Sequence, residues 1–76
     1  MNTYNGHRNY NYWNVSLWLN NDEGLYNEVR AFIRKCGSKQ RAAERLYQVW
    51  SDYGITHTPD GVKYTKSAIR AAMVGM

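Results

Sequence analysis

A chain of 76 residues makes one small domain, and a domain of that size buries only about 60–65% of its unfolded surface. Its single cysteine, Cys36, excludes an internal disulfide and any cysteine-based zinc site. Ten Lys and Arg against six Asp and Glu leave a net charge of +4, which favours acidic partners.

The first nine residues are polar and read as an extended N-terminal segment, with Gly6 as a turn residue. Tyr10–Leu19 is ambiguous. Trp13, Leu17 and Trp18 fit a helical face, whereas Trp13, Val15, Leu17 and Leu19 alternate as in a strand. We read it as a helix, because helical segments follow and no second strand is long enough to pair with it. Asn20 is the expected cap of the next helix, with Glu23 reaching back as in a capping box.

Leu25, Tyr26, Val29, Phe32, Ile33 and Cys36 recur with helical spacing and span roughly 120° of a helix, which predicts a buried stripe. Gly37 should end that helix and Ser38 should cap a second long one. The second stripe is Ala42, Ala43, Leu46, Val49, Trp50 and Tyr53, stopped by Gly54. So short a connection predicts a helical hairpin or a sharply angled pair. Pro59-Asp60-Gly61 is a β-turn signal, with a marginal hairpin of Thr56–Thr58 against Val62–Tyr64 around it. Thr65 or Ser67 should cap a last helix reaching Met73, with Ile69, Ala72 and Met73 inward and Lys66 and Arg70 outward. The fold class is therefore all-α: a single domain over residues 1–76, with three to four helices and one ordered turn loop. The core should join Phe32, Ile33, Leu46 and Trp50 with Trp13, and Trp18 is read as a core residue as well. With no staple in sight, rich aromatic packing or self-association as a homodimer must support it; each large ring can bury roughly 150–250 Å².

Two tryptophans and four tyrosines crowd Tyr4–Tyr26, around the runs Tyr4-Asn5-Gly6, Trp13-Asn14-Val15-Ser16-Leu17-Trp18 and Asn21-Asp22-Glu23-Gly24-Leu25-Tyr26. With Thr58-Pro59-Asp60-Gly61-Val62-Lys63-Tyr64, this pattern resembles a family of small proteins of tailed phages and bacterial mobile elements. The family pattern carries Thr before the first tryptophan, where this chain has Tyr12, so one cap candidate for the first helix is missing. The resemblance covers under half of the chain. It implies a small early or accessory protein in a bacterial cytoplasm, where an unpaired cysteine would stay reduced. It also implies action by binding and occluding a host component, in the manner of an anti-CRISPR or anti-restriction inhibitor.

Catalysis has little support. His7 and His57 stand in no nucleophile or metal spacing, Cys36 falls on an apolar stripe, and Asp22, Glu23 and Asp60 are accounted for by caps and a turn. No catalytic residue, metal site or cofactor is expected. Nor does the sequence hold a segment able to span a bilayer: the longest apolar run, Val15–Leu19, is short and broken by Ser16. The basic residues cluster instead. Arg30, Arg34, Lys35, Lys39, Arg41 and Arg45 are opposed over that stretch by Glu44 alone, and they form the expected partner-binding ridge. Tyr4, Tyr10 and Tyr12 are the candidate aromatic anchors, since Tyr, Trp and Arg dominate interface energetics. The expected partner is a host protein or protein–nucleic-acid complex. Direct nucleic-acid binding by a small basic regulator is the alternative. Gly37–Leu46 looks like the opening of a helix-turn-helix, but the helix runs on through Tyr47-Gln48-Val49-Trp50 where a turn should follow.

Overall fold

The computed structural model of the protein describes residues 9–76. Residues 1–8, including Tyr4, Gly6 and His7 of the expected extended segment, lie outside the described residues. Four helices follow in order: α1 (Tyr10–Asn21), α2 (Glu23–Cys36), α3 (Lys39–Asp52) and α4 (Lys66–Ala72). They close a ring in which α1 packs on α2 and α4, and α3 packs on α2 and α4. Among the described residues no helix is long and apolar enough to cross a membrane.

Local chemistry sets the helix ends. Asn9 caps α1, its side chain accepting from the Tyr12 amide at 3.0 Å. The next junction departs from expectation. Asp22 (not Asn20) caps α2, with Oδ1 accepting from Leu25 N at 3.0 Å. The same residue closes α1 by donating its own N–H to Trp18 O at 3.0 Å. One extended residue therefore serves both helices. Glu23 becomes the first helical residue, so no capping box forms, though its charge still suits the positive helix end. Asn20 stays inside α1, and its amide donates to Ser16 O at 2.9 Å and to Ala72 O at 3.2 Å, tying α1 to the end of α4. Gly37 at φ 77° ends α2 and Ser38 caps α3, as the sequence predicts. Thr65 caps α4, which ends at Ala72.

The core gathers Val15 and Leu19 of α1, Val29 of α2, Ala42, Ala43, Leu46 and Trp50 of α3, and Ala68, Ile69, Ala72 and Met73 around α4. Trp50 is its largest member. Its ring lies 4.9 Å from that of Tyr64, and its indole N–H donates to Glu28 Oε2 at 3.0 Å, pinning α2 to α3. Burial, followed by the charge of Asp22, pushes the Tyr64 phenol above its ordinary range.

Three expectations about the core need correction. Trp13 and Trp18 are only half-buried and sit outside the core cluster, because α1 turns Asn14, Val15 and Leu19 inward. Of the α2 stripe, only Val29 is fully buried; Leu25, Phe32, Ile33 and Cys36 pack against the core from its margin. Tyr53 is 78% exposed, because α3 stops at Asp52 and the chain folds back there, with Ile55 N donating to Trp50 O at 2.8 Å.

The turn loop is tightly built. Gly61 N donates to Thr58 O at 2.8 Å and Gly61 sits at φ 85°, so Pro59 and Asp60 occupy the β-turn. A single antiparallel bridge, His57 to Lys63, is what remains of the expected hairpin. It is flanked by Thr58 N to Val62 O and Tyr64 N to Thr56 O.

Candidate functional site

The hairpin turn docks on α1 through side chains. Asn14, fully buried, accepts from Thr58 Oγ1 at 2.7 Å and donates to Asp60 Oδ2 at 2.8 Å. Trp18 Nε1 donates to the same oxygen at 2.9 Å, and Val62 N donates to Thr58 Oγ1 at 3.1 Å. The hydrogen bonds from Asn14 and then Trp18 hold the Asp60 carboxyl below its ordinary range, against a smaller opposing effect of burial. Asp60 is thus more than a turn residue. It is the point on which the loop is fastened to the first helix. No buried side-chain nitrogen or oxygen among the described residues lacks a partner, so this network is closed and reads as architecture.

The basic residues are arranged differently from the single ridge expected. At 100° per residue, Arg30 and Arg34 lie roughly 120° and 160° around α2 from Cys36. Arg30 is engaged locally: its guanidinium donates to Tyr26 Oη at 3.1 Å and lies 5.6 Å from that ring's centre. Lys39 is half-buried at the start of α3. Lys35, Arg41 and Arg45 separate from these. They line an open groove of about 600 Å³ together with Lys66, the first residue of α4. Cys36, Glu44 and Gln48 complete its lining. The α3 residues hold the middle, with the end of α2 and the start of α4 on either side. Arg41 and Arg45 are one turn apart, about 6 Å along the axis. The Lys66 ammonium lies 5.6 Å from the centre of the Tyr47 ring, which steadies a long flexible side chain.

Within the groove, Glu44 Oε2 accepts from Gln40 Nε2 at 3.0 Å, and Gln48 Nε2 donates to Asp52 Oδ1 at 3.1 Å. Cys36 is half-buried and lines the groove, although its place on an apolar stripe predicts a core residue. Lys66 reads from sequence only as an outward residue of the last helix. Its part in the groove depends on how α4 packs on α3, which no local pattern encodes.

Of the aromatic anchors, Tyr10 and Tyr12 do not share this surface. Tyr10 is 42% exposed, with its ring 5.7 Å from that of Trp13. Tyr12 is half-buried against the core, and Tyr4 lies outside the described residues. Among the described residues, no group of three or more His, Cys, Asp or Glu side chains is placed to hold a metal ion. His57 Nδ1 pairs with its neighbour Thr56 Oγ1 at 2.8 Å on the exposed hairpin.

A family model described as "Family of unknown function (DUF7249)" matches residues 1–76. The chain belongs to DUF7249. No curated protein and no solved structure matches it. The match takes in both the groove and the α1–hairpin network. In this member of DUF7249 the two sequence motifs set apart above form one structural unit: Asn14 and Trp18 of the aromatic run grip Thr58 and Asp60 of the turn.

Proposed function

We propose that this member of DUF7249 is a non-enzymatic accessory protein of phage or mobile-element type. It works in the bacterial cytoplasm by docking on a host protein complex and occluding it, as an anti-defence inhibitor does. The observation that supports this reading is the convergence of Lys35, Arg41, Arg45 and Lys66 on one open groove. Long cationic side chains gathered on a concave surface make a field complementary to acidic groups and speed encounter with them. The resemblance of the aromatic and turn motifs to small phage proteins supports the setting. Direct nucleic-acid binding by a small regulator draws on the same four cations and is the second reading.

The test is capture from host lysate with and without nuclease treatment, with the wild-type protein beside an Arg41→Ala/Arg45→Ala variant of unchanged melting temperature. A host complex held by the wild type and lost by the variant supports the proposal. Capture abolished by nuclease alone moves the function to nucleic acid. Capture indifferent to both arginines overturns the groove as the working surface.

A further inference from the structure

Resting on the reading of the groove as the working surface, we infer that it receives an acidic peptide segment of a partner protein, with carboxylates about 6 Å apart, in preference to a nucleic-acid backbone. Four cations face a single carboxylate there, which settles the sign of the occupant's charge. Shape and hydrogen-bonding chemistry decide between carboxylate and phosphate.

The surface is a concavity whose middle is α3, flanked by residues of α2 and α4. A duplex is read by an element that enters a major groove about 12 Å wide, whereas the α3 residues here line a recess shared with residues of α2 and α4. Single strands are held by aromatic side chains on which bases stack. None of the residues lining this groove is aromatic, and the neighbouring Tyr47 ring has Lys66 over it.

The groove also carries acceptors. Glu44 contributes a carboxylate, and Gln48 keeps its amide oxygen while its nitrogen is engaged by Asp52. A phosphodiester backbone has no donor to offer them. A peptide backbone presents an N–H at nearly every residue, so the same two side chains become partners. The cations fit the same occupant. Arg41 and Arg45 lie about 6 Å apart along α3. Alternate residues of an extended chain lie roughly 6.6 Å apart and point to one face. Two acids separated by one residue can therefore each meet one guanidinium, whose forked donors match a carboxylate in two-point geometry. Lys35 and Lys66 stand at the flanks as point charges for further acids.

The experiment is fluorescence anisotropy with three labelled probes: a short peptide with glutamate at alternate positions, a single-stranded oligonucleotide and a duplex, each at low and near-physiological salt. The expected result is peptide binding that exceeds oligonucleotide binding at the higher salt. Arg45→Ala and Lys66→Ala should each weaken it about tenfold, the loss of one charge-assisted contact. Arg34→Ala, outside the groove, should change it by less than about twofold, the typical size of an exposed surface charge effect. Circular dichroism melts establish that the variants are folded. Tighter oligonucleotide binding through the same residues overturns the peptide inference while leaving the groove as the working surface. Peptide binding insensitive to Arg45 and Lys66 overturns the site. Absence of binding by all three probes at low salt overturns the inference as well; the lysate capture above then decides the broader reading independently.

Discussion

Replacing Asn14 by Ala should be among the most damaging single changes on α1, although the residue is polar. Its side chain is fully buried and takes part in two hydrogen bonds across the α1–hairpin interface. Truncation removes the acceptor for the Thr58 hydroxyl, in a residue that is 4% exposed. A lost buried hydrogen bond contributes about 1 kcal/mol, and an orphaned buried donor adds about 1–3 kcal/mol. We therefore expect a destabilisation of about 2–4 kcal/mol, with no energy assigned to the bond to exposed Asp60. A domain of this size has a total stability on the order of 4–11 kcal/mol, so the change consumes a large share of it. Since each kcal/mol shifts the midpoint of so small a domain by about 4–8 °C, the melting temperature should fall by at least about 8 °C. The assay is thermal unfolding of Asn14→Ala, Thr58→Val and the double variant. Asn14 and Thr58 touch, so the two losses should overlap by roughly 1 kcal/mol in the cycle. A midpoint within about 2 °C of wild type, or strictly additive losses, would refute the idea that this network fastens the loop to the helix.

Trp50→Ala should cost about 3–5 kcal/mol and lower the melting midpoint by at least about 12 °C, as far-ultraviolet circular dichroism melts will show; a wild-type midpoint would mean that the packing against Tyr64 and Leu46 is wrong. Asp22→Ala should lower stability by about 0.5–2 kcal/mol through the lost cap, whereas Asn20→Ala should not disturb the α2 N-terminus; helix-end protection in hydrogen exchange separates the two. The lowered Asp60 pKa has a definite sign. Its contribution is present above the ordinary carboxylate range and is lost as pH falls through the folded-state value, so Asp60→Asn should flatten the acid limb of the stability–pH curve. An unchanged acid limb would contradict the hydrogen bonds from Asn14 and Trp18.

Features governed by neighbouring residues were legible in the sequence. Gly37, Ser38 and Thr65 end or begin helices by local hydrogen bonding; the first two do so where the pattern places them, and Thr65 is one of the two caps it offers for α4. The boundary after α1 was not, because Asn20, Asn21 and Asp22 are three cap formers in succession, and tertiary packing extends α1 until the last of them is used. Trp13 and Trp18 look like core residues by size. The rotation of α1 is fixed instead by Val15 and Leu19 meeting the core and by buried Asn14 meeting the hairpin. Likewise the cluster of cations was visible as charge, but helical phase turned Arg30 and Arg34 away from Cys36, and the docking of α4 brought Lys66 in. A one-dimensional count of charges carries neither effect.

The central claim is that one groove is the working surface, and a backbone-amide NMR titration with the alternating-glutamate peptide tests it most directly. Shift changes should concentrate at Lys35, Arg41, Glu44, Arg45, Gln48 and Lys66, with Arg34 and the Tyr10–Leu17 stretch of α1 unmoved. Changes centred on α1, or spread evenly over the basic residues including Arg30 and Arg34, would contradict the claim.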